Sequence, residues 1–190
     1  MELVLASASP RRAELLAGCG VSFTIHPVEV GELSYAPEIA RLPELNAALK
    51  ADAAGEIFPA KMVLGADTMI IFQGRAIGKP ADLAEARQML REFSGKTHEV
   101  VTGMALVCRQ QNFRQVWSET SQVTFKTLDE TAIGSYLNSV EVLDKAGAYA
   151  IQEHGDEIIS SYTGELANII GLPLKKLCRL LEVPDNPSRQ

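Results

Sequence analysis

The sequence predicts an α/β protein, a mixed β-sheet flanked by helices, and three observations carry that prediction. Apolar runs of strand length interleave along the whole chain with segments of helical period. Turn and cap signals such as Ser9-Pro10, Gln73-Gly74 and Ser94-Gly95 fall at the junctions between them. The chain has 190 residues, 46% of them hydrophobic and 22% charged, which is enough for one full core. One domain over residues 1–183, with two lobes around a cleft, is expected, and Pro184–Gln190 reads as an unstructured tail.

Leu3–Ala6 is a buried strand by its apolar run. Ser9 and Pro10 then supply an N-cap and a first-turn proline for a helix that stops at Gly18 or Gly20. Val21–Val28 reads as a second strand. After Pro43, the apolar residues Leu45, Leu49, Ala53 and Ile57 keep close to helical spacing. Met62–Phe72 is one buried strand or two short ones, and Gln73-Gly74 is a turn. Asp82 with Glu85 resembles a capping box, opening a helix with Leu83, Ala86, Leu90 and Phe93 on one face. Val100–Cys108 and Gln115–Leu128 are strands, the second alternating at Val123, Phe125 and Thr127. Asp129 caps a helix carrying Ile133, Tyr136 and Leu137. The last helix begins at Pro173 and buries Leu174, Leu177, Cys178 and Leu181.

Composition excludes several classes. A formal net charge of −6 argues against non-specific polynucleotide binding, which runs on counterion release by many Lys and Arg, so any phosphate recognition must be local. The three cysteines are isolated among apolar neighbours and fit a reducing cytoplasm. No positive n-region precedes the first apolar run, so no signal peptide is expected. Met62–Phe72, cut by Asp67, is too short to cross a membrane.

The opening segment carries the strongest chemical signal. Arg11 and Arg12 sit in a first helical turn, where the macrodipole disfavours each cation by roughly 0.3–1 kcal/mol. Two readings fit: solvated arginines on an ordinary capped helix, or an anion gripped by backbone N–H groups, two guanidinium forks and the Ser7 and Ser9 hydroxyls. Asp67 interrupts an apolar strand, and a buried carboxylate there needs a metal, a cation or a proton, unless it is a turn aspartate bonding its own backbone. At the end of a buried strand it can serve as general base or magnesium ligand. Lys50, Lys79, Lys96 and Lys145 are candidate phosphate contacts, with Lys79 favoured by its rigid Gly-Lys-Pro loop. Glu32 is a candidate second metal ligand, with an exposed loop glutamate as the plainer reading.

Familiar alternatives fail. Ser94-Gly95-Lys96-Thr97 resembles the end of a phosphate-binding loop, but Leu90 stands where its first glycine belongs and a strand follows. There is no G-x-G-x-x-G, no zinc spacing among the histidines and cysteines, and no G-x-S-x-G elbow. His98 reads as structural.

Ser7-Ala8-Ser9-Pro10-Arg11-Arg12, Lys50, Gly65-Ala66-Asp67-Thr68, Lys79-Pro80, Ser94-Gly95-Lys96-Thr97-His98 and Asp144-Lys145-Ala146-Gly147-Ala148-Tyr149-Ala150-Ile151-Gln152, in that order, resemble the Maf family of nucleoside triphosphate pyrophosphatases over nearly the whole chain. The resemblance implies an elongated active-site cleft similar to that of inosine triphosphate pyrophosphatases. It implies hydrolysis of nucleoside triphosphates to the monophosphate and pyrophosphate with Mg2+ or Mn2+, a cytoplasmic house-cleaning role, and a homodimer. It makes Asp67 the proton acceptor, a metal ligand or both. It gives Ser7, Arg12, Lys50 and Lys79 the phosphates, and sets Glu32 beside Asp67 at the metal. Arg11, Thr68 and Gln152 stand where the 7-methylguanosine triphosphate branch typically holds Trp, Gln and Glu, so the chain resembles the dTTP/UTP branch. A neutral glutamine amide also suits a uracil or thymine edge, offering one donor and one acceptor. Two departures stand out. Glu165 and Leu166 replace the family's Ser-Tyr before Asn168, and Gly78 stands where an acidic residue is common, the latter implying wider base selectivity than those three positions alone. The expected substrates are dTTP and UTP, with modified or other non-standard nucleotides beside them. The runner-up is a nucleotide-sensing regulator of cell division that binds without turnover.

Overall fold

The computed structural model describes residues 2–182, so the expected tail at 184–190 lies outside the described residues. The elements run β1 (Leu3–Leu5), α1 (Pro10–Ala17), β2 (Phe23–Ile25), α2 (Leu42–Ile57), β3 (Met62–Phe72), β4 (Arg75–Ile77), α3 (Leu83–Phe93), β5 (Thr97–Cys108), β6 (Phe113–Phe125), α4 (Glu130–Ser139), α5 (Gly155–Ile158), β7 (Ile159–Thr163), α6 (Leu166–Ile170) and α7 (Leu174–Leu180). Seven strands form one sheet in the order β2-β1-β3-β5-β6-β7, with β4 added to β3. β1 pairs parallel to both β2 and β3, whereas β4 and β7 pair antiparallel to their neighbours. The sheet is therefore mixed and helix-flanked, as the interleaved sequence pattern predicts.

The chain divides into two compact units, one of Met1–Thr68, Thr102–Glu119 and Leu166–Gln190, the other of Met69–Val101 and Thr120–Glu165. In the first unit, strand alternation sorts two cores onto opposite faces of the sheet. Leu3, Leu5, Met62, Leu64, Ala66, Met104 and Leu106 pack with Leu16 of α1 and with Leu174, Leu177 and Cys178 of α7. Val4, Val63, Ala105 and Val107 pack with Ala47, Ala51 and Ala54 of α2. Cys19 and Cys178, both buried, touch with their Sγ atoms 3.4 Å apart, so these thiols are packing residues.

Two glycines let α2 approach the sheet closely. A Cβ on Gly65 would lie 2.2 Å from the Ala47 carbonyl oxygen, and one on Gly103 would lie 2.2 Å from Glu44 N. α2 consequently turns its small residues inward, and Leu45, Leu49 and Ile57 are exposed. The spacing of Leu45, Leu49, Ala53 and Ile57 marks the helix correctly, and its inward face belongs to Leu42, Asn46, Ala47, Ala51 and Ala54.

The second unit is built on an aromatic cluster of Phe72, Phe93, His98, Phe125 and Tyr149. His98 stacks on Phe93 at 4.5 Å, and its Nε2 meets the Tyr149 hydroxyl at 2.7 Å. Burial lowers the His98 pKa to about 4, so His98 is a neutral core residue. Burial likewise raises the Tyr136 pKa to about 12. The Tyr136 hydroxyl accepts from Ala150 N at 3.0 Å and so pins the segment that leads to Gln152.

Several element readings change. The second strand shrinks to Phe23–Ile25, and residues 26–36 carry no regular structure. β3 runs unbroken through Asp67. Leu83 is exposed on α3, while Ala86, Leu90 and Phe93 face inward. Asp82 caps α3 by accepting from Glu85 N, but Glu85 accepts from Ala81 N, one residue before the cap. β6 ends at Phe125, which leaves Thr127 exposed, and β4, α5, β7 and α6 have no counterpart in the sequence reading. Asp129 caps α4 through Ala132 N as expected.

Candidate functional site

β1 ends at Leu5, paired with Leu64, and β3 runs on past it. The residues just beyond this edge, at the carboxyl end of a parallel strand pair, are where α/β sheets place ligands. Alternation sends consecutive residues of β3 to opposite faces: Asp67 joins the side of α2, and Thr68 joins the side of α1.

On the α2 side, the Lys50 ammonium lies 2.8 Å from Asp67 Oδ1 and 2.7 Å from Glu32 Oε1. The side chains of Asp67 and Lys50 are 15% and 13% exposed, so their charges meet in a partly shielded place, whereas Glu32 is 54% exposed. Asn46 gives Asp67 a second donor, its Nδ2 donating to Asp67 Oδ2 at 3.4 Å. Asp67 therefore has the cation that a carboxylate in an apolar strand requires. It is neither a turn aspartate nor a strand-end residue, since it sits mid-strand in β3.

On the α1 side, the Arg12 fork is held by four oxygens. Nε donates to Gly171 O at 2.9 Å, Nη1 to Ser7 Oγ at 3.2 Å and to Ala66 O at 3.0 Å, and Nη2 to Thr68 Oγ1 at 3.0 Å. The four partners are neutral. Burial lowers the Arg12 pKa, with Asp67 and Glu32 pulling it the other way. A guanidinium stays charged in spite of that. The result is a fixed cation bonded to dipoles rather than to a carboxylate, which suits an anion.

A hydroxyl chain continues from it. Thr102 is fully buried and donates to Asn168 O at 3.1 Å, so Thr68, 3.0 Å from Thr102 Oγ1, must be the donor between the two hydroxyls. The Thr68 hydrogen is thereby spent inside the protein. Ser7 is buried as well and accepts from Ser9 N at 3.3 Å, while no side chain caps α1. Ser9 is thus the N-cap residue by backbone only.

The other expected site residues divide plainly. Arg11 is half-buried in the first turn of α1. Lys79 and Gln152 are exposed residues of the second unit. Their segments are joined there by Gly147 N donating to Gly78 O at 2.9 Å. Lys145 is buried and held by Glu141 O and by Asp144 Oδ1 at 2.8 Å, so it braces its own loop. Lys96 donates to Glu92 O at 3.0 Å and lies over the Phe72 ring. Neither lysine presents a loose ammonium. Sequence reasoning missed Asn46 and Thr102. Asn46 carried a signal, a polar residue among the alanines of α2, whereas Thr102 in a β-branched strand carried none.

The chain matches the Maf-like protein family over residues 2–183. It is 43% identical over 182 residues to the dTTP/UTP pyrophosphatase of Akkermansia muciniphila, covering 94% of each chain. It is 42% identical over 181 residues to the dTTP/UTP pyrophosphatase of Symbiobacterium thermophilum, covering 95% of this chain and 92% of that one. Among solved structures, the Ham1 protein of Staphylococcus aureus aligns with a TM-score of 0.49 at 15% identity, over 82% of this chain and 90% of that one. The sequence match spans both structural units, and it establishes that this chain belongs to the Maf-like protein family.

Proposed function

We propose that this protein hydrolyses nucleoside triphosphates, dTTP and UTP foremost and modified nucleotides with them, to the nucleoside monophosphate and pyrophosphate. Relatives at 41–43% identity over nearly the whole chain carry the name dTTP/UTP pyrophosphatase, which supports the substrate class. The observation that carries the reading is the pairing on β3: Asp67 with two donors on one side, and a fixed guanidinium with neutral partners on the other.

In this reading Arg12, Ser7 and the start of α1 receive phosphate oxygens, with Lys50 and Lys79 offsetting further charge. Arg12 brings a fixed positive charge, since four bonds already hold its plane and leave one of its five N–H groups, on Nη2, for a phosphate oxygen. Asp67 orients a water and accepts its proton as the water oxygen bonds to the α-phosphorus. The α–β anhydride bond breaks, and pyrophosphate leaves with the bond's electron pair. Arg11 and Gln152 read the base. Thr68 acts through its bond to Arg12, because its own hydrogen is engaged with Thr102.

A divalent cation fits the α2 side. Lys50 already bridges Asp67 and Glu32, so two hard oxygen ligands converge on one positive charge. Among the described residues no group of three or more His, Cys, Asp or Glu converges, so Asp67 and Glu32 are the ligands this reading relies on. Asp67 and Glu32 would hold it, and when bound it supplies stabilisation of charge on the phosphoryl oxygens. The cytoplasm is the compartment this role implies, and a homodimer is the assembly the resemblance suggests.

The test is turnover of dTTP, UTP, CTP and 7-methylguanosine triphosphate with Mg2+ or Mn2+. dTTP and UTP should lead, and Asp67→Asn should lower kcat on the order of 10²- to 10⁴-fold, the usual weight of a general base. Near-normal turnover by Asp67→Asn would remove Asp67 from that role. Binding without any hydrolysis would remove the enzymatic reading.

A further inference from the structure

We infer that Asn46 is a positioning residue for the reaction proposed above, setting the Asp67 carboxylate and the Glu32-bearing loop against one another. Asn46 lies on the inward face of α2 and is 3% exposed, among alanines and Leu42. An amide in that place is costly unless its hydrogen bonds are made, and a helix interior is not where asparagine gains from local turns. Its bonds are made, and all of them go to the site.

The Oδ1 atom accepts from Leu33 N at 2.7 Å, and Nδ2 donates to Leu33 O at 3.2 Å. This two-bond pairing imitates a neighbouring β-strand, and it grips a segment, 26–36, that has no regular structure of its own. Glu32 is the residue next to the gripped one, and its carboxylate reaches Lys50. The second Nδ2 hydrogen goes to Asp67 Oδ2 at 3.4 Å, while Lys50 holds Oδ1. Only one orientation of the amide works: turned over, Oδ1 would face the Leu33 carbonyl and the Asp67 carboxylate, acceptor against acceptor, and Leu33 N would lose its partner.

Asp67 is thus gripped at both oxygens, once by a charge and once by a neutral amide. The two grips fix rotation about Cβ–Cγ and so fix the lone pair that faces an attacking water. The same amide keeps Glu32 within reach of Lys50. Asn46 touches no substrate in this account and acts through Asp67 and the loop.

A kinetic double-mutant cycle tests this. Asn46→Leu, of similar volume, should lower kcat on dTTP by about 10- to 100-fold, with KM changed less than threefold. In an Asp67→Asn background the same change should lower kcat by less than about twofold, because its route to the chemistry is already cut. Rates are taken per folded molecule, with folding checked by circular dichroism, and Asn46→Ser provides the same comparison if Asn46→Leu does not fold. An equal loss in both backgrounds, or kcat unchanged in the first, overturns the inference while leaving the hydrolase intact. A wild-type protein inert on every triphosphate instead overturns the reading on which the inference rests.

Discussion

Gly65 and Asp67 are two residues apart on β3 and face the same helix, so the fit of α2 and the geometry of the site rest on one contact. In Gly65→Ala the new Cβ would stand 2.2 Å from Ala47 O, 2.8 Å from Ala51 N and 3.0 Å from Ala51 Cβ. A carbon needs about 3.3 Å from a carbonyl oxygen, so α2 must retreat by about 1 Å. The nearest atoms are backbone, so no side-chain rotation can relieve the clash. Overpacking of this kind costs about 1–3 kcal/mol, and the upper end is expected here. The retreat also acts on function. Asn46 already stands at 3.4 Å from Asp67 and would lose that bond, and Lys50 would stretch from 2.8 Å. A misplacement of about 1 Å in a catalytic constellation costs on the order of 100-fold in rate. Gly55→Ala, in the same helix, is the matched control: its Cβ would meet Val107 Cγ2 at 3.4 Å and Arg109 Nε at 3.6 Å, ordinary packing distances. That variant should be neutral or up to about 1 kcal/mol more stable, since alanine loses less backbone entropy than glycine on folding. Urea unfolding followed by circular dichroism gives the stabilities, and pyrophosphate release from dTTP gives kcat. If Gly65→Ala stays within about 0.5 kcal/mol and threefold in kcat, close approach of α2 is not what positions Asp67.

Arg12→Lys keeps the charge but lacks the fork, so it can satisfy at most part of the set Gly171 O, Ser7 Oγ, Ala66 O and Thr68 Oγ1. A loss of about 3 kcal/mol in urea unfolding is expected, together with a raised KM for the triphosphate, and unchanged stability would show that the four bonds carry no weight. His98 is neutral when folded, with its pKa lowered to about 4, whereas the unfolded chain binds a proton near its ordinary value of about 6.5. Its contribution is therefore fully present above that ordinary value and is lost as pH falls towards 4, by about 3 kcal/mol. In urea unfolding from pH 7.5 to 4, wild type should lose more stability than His98→Gln by that order, and parallel curves would contradict it.

The sequence exposed what local chemistry determines. The Ser9-Pro10 start of α1, the Asp129 cap and the apolar run of β3 each follow from residues a few positions apart, and each lies where it was expected. Helical spacing identified α2 but did not show which face turns inward, because alanines, Gly65 and Gly103 allow a close approach that no hydrophobic period announces. β7 stayed hidden because Ile159-Ser160-Ser161-Tyr162-Thr163 is largely exposed and is held by pairing with β6. At the site, Asp67 stood out as a charge in an apolar strand, and the cation it required proved to be Lys50, 17 residues earlier in the chain. That Thr68 and Asp67 face opposite sides follows from strand alternation, but which helix meets each side depends on tertiary packing. Lys96 and Lys145 resembled phosphate ligands in sequence, and only three-dimensional neighbours show both engaged within the second unit.

Attack of water at the α-phosphorus, aided by Asp67, is the centre of the functional account, and isotope transfer tests it most directly. Hydrolysis of dTTP in water enriched in oxygen-18, with products resolved by phosphorus NMR and mass spectrometry, locates the bond that forms. The label should appear in thymidine monophosphate alone, with unlabelled pyrophosphate, and the rate of its appearance should collapse in Asp67→Asn. Label in inorganic phosphate or in pyrophosphate, or label transfer at an undiminished rate in Asp67→Asn, would contradict the account.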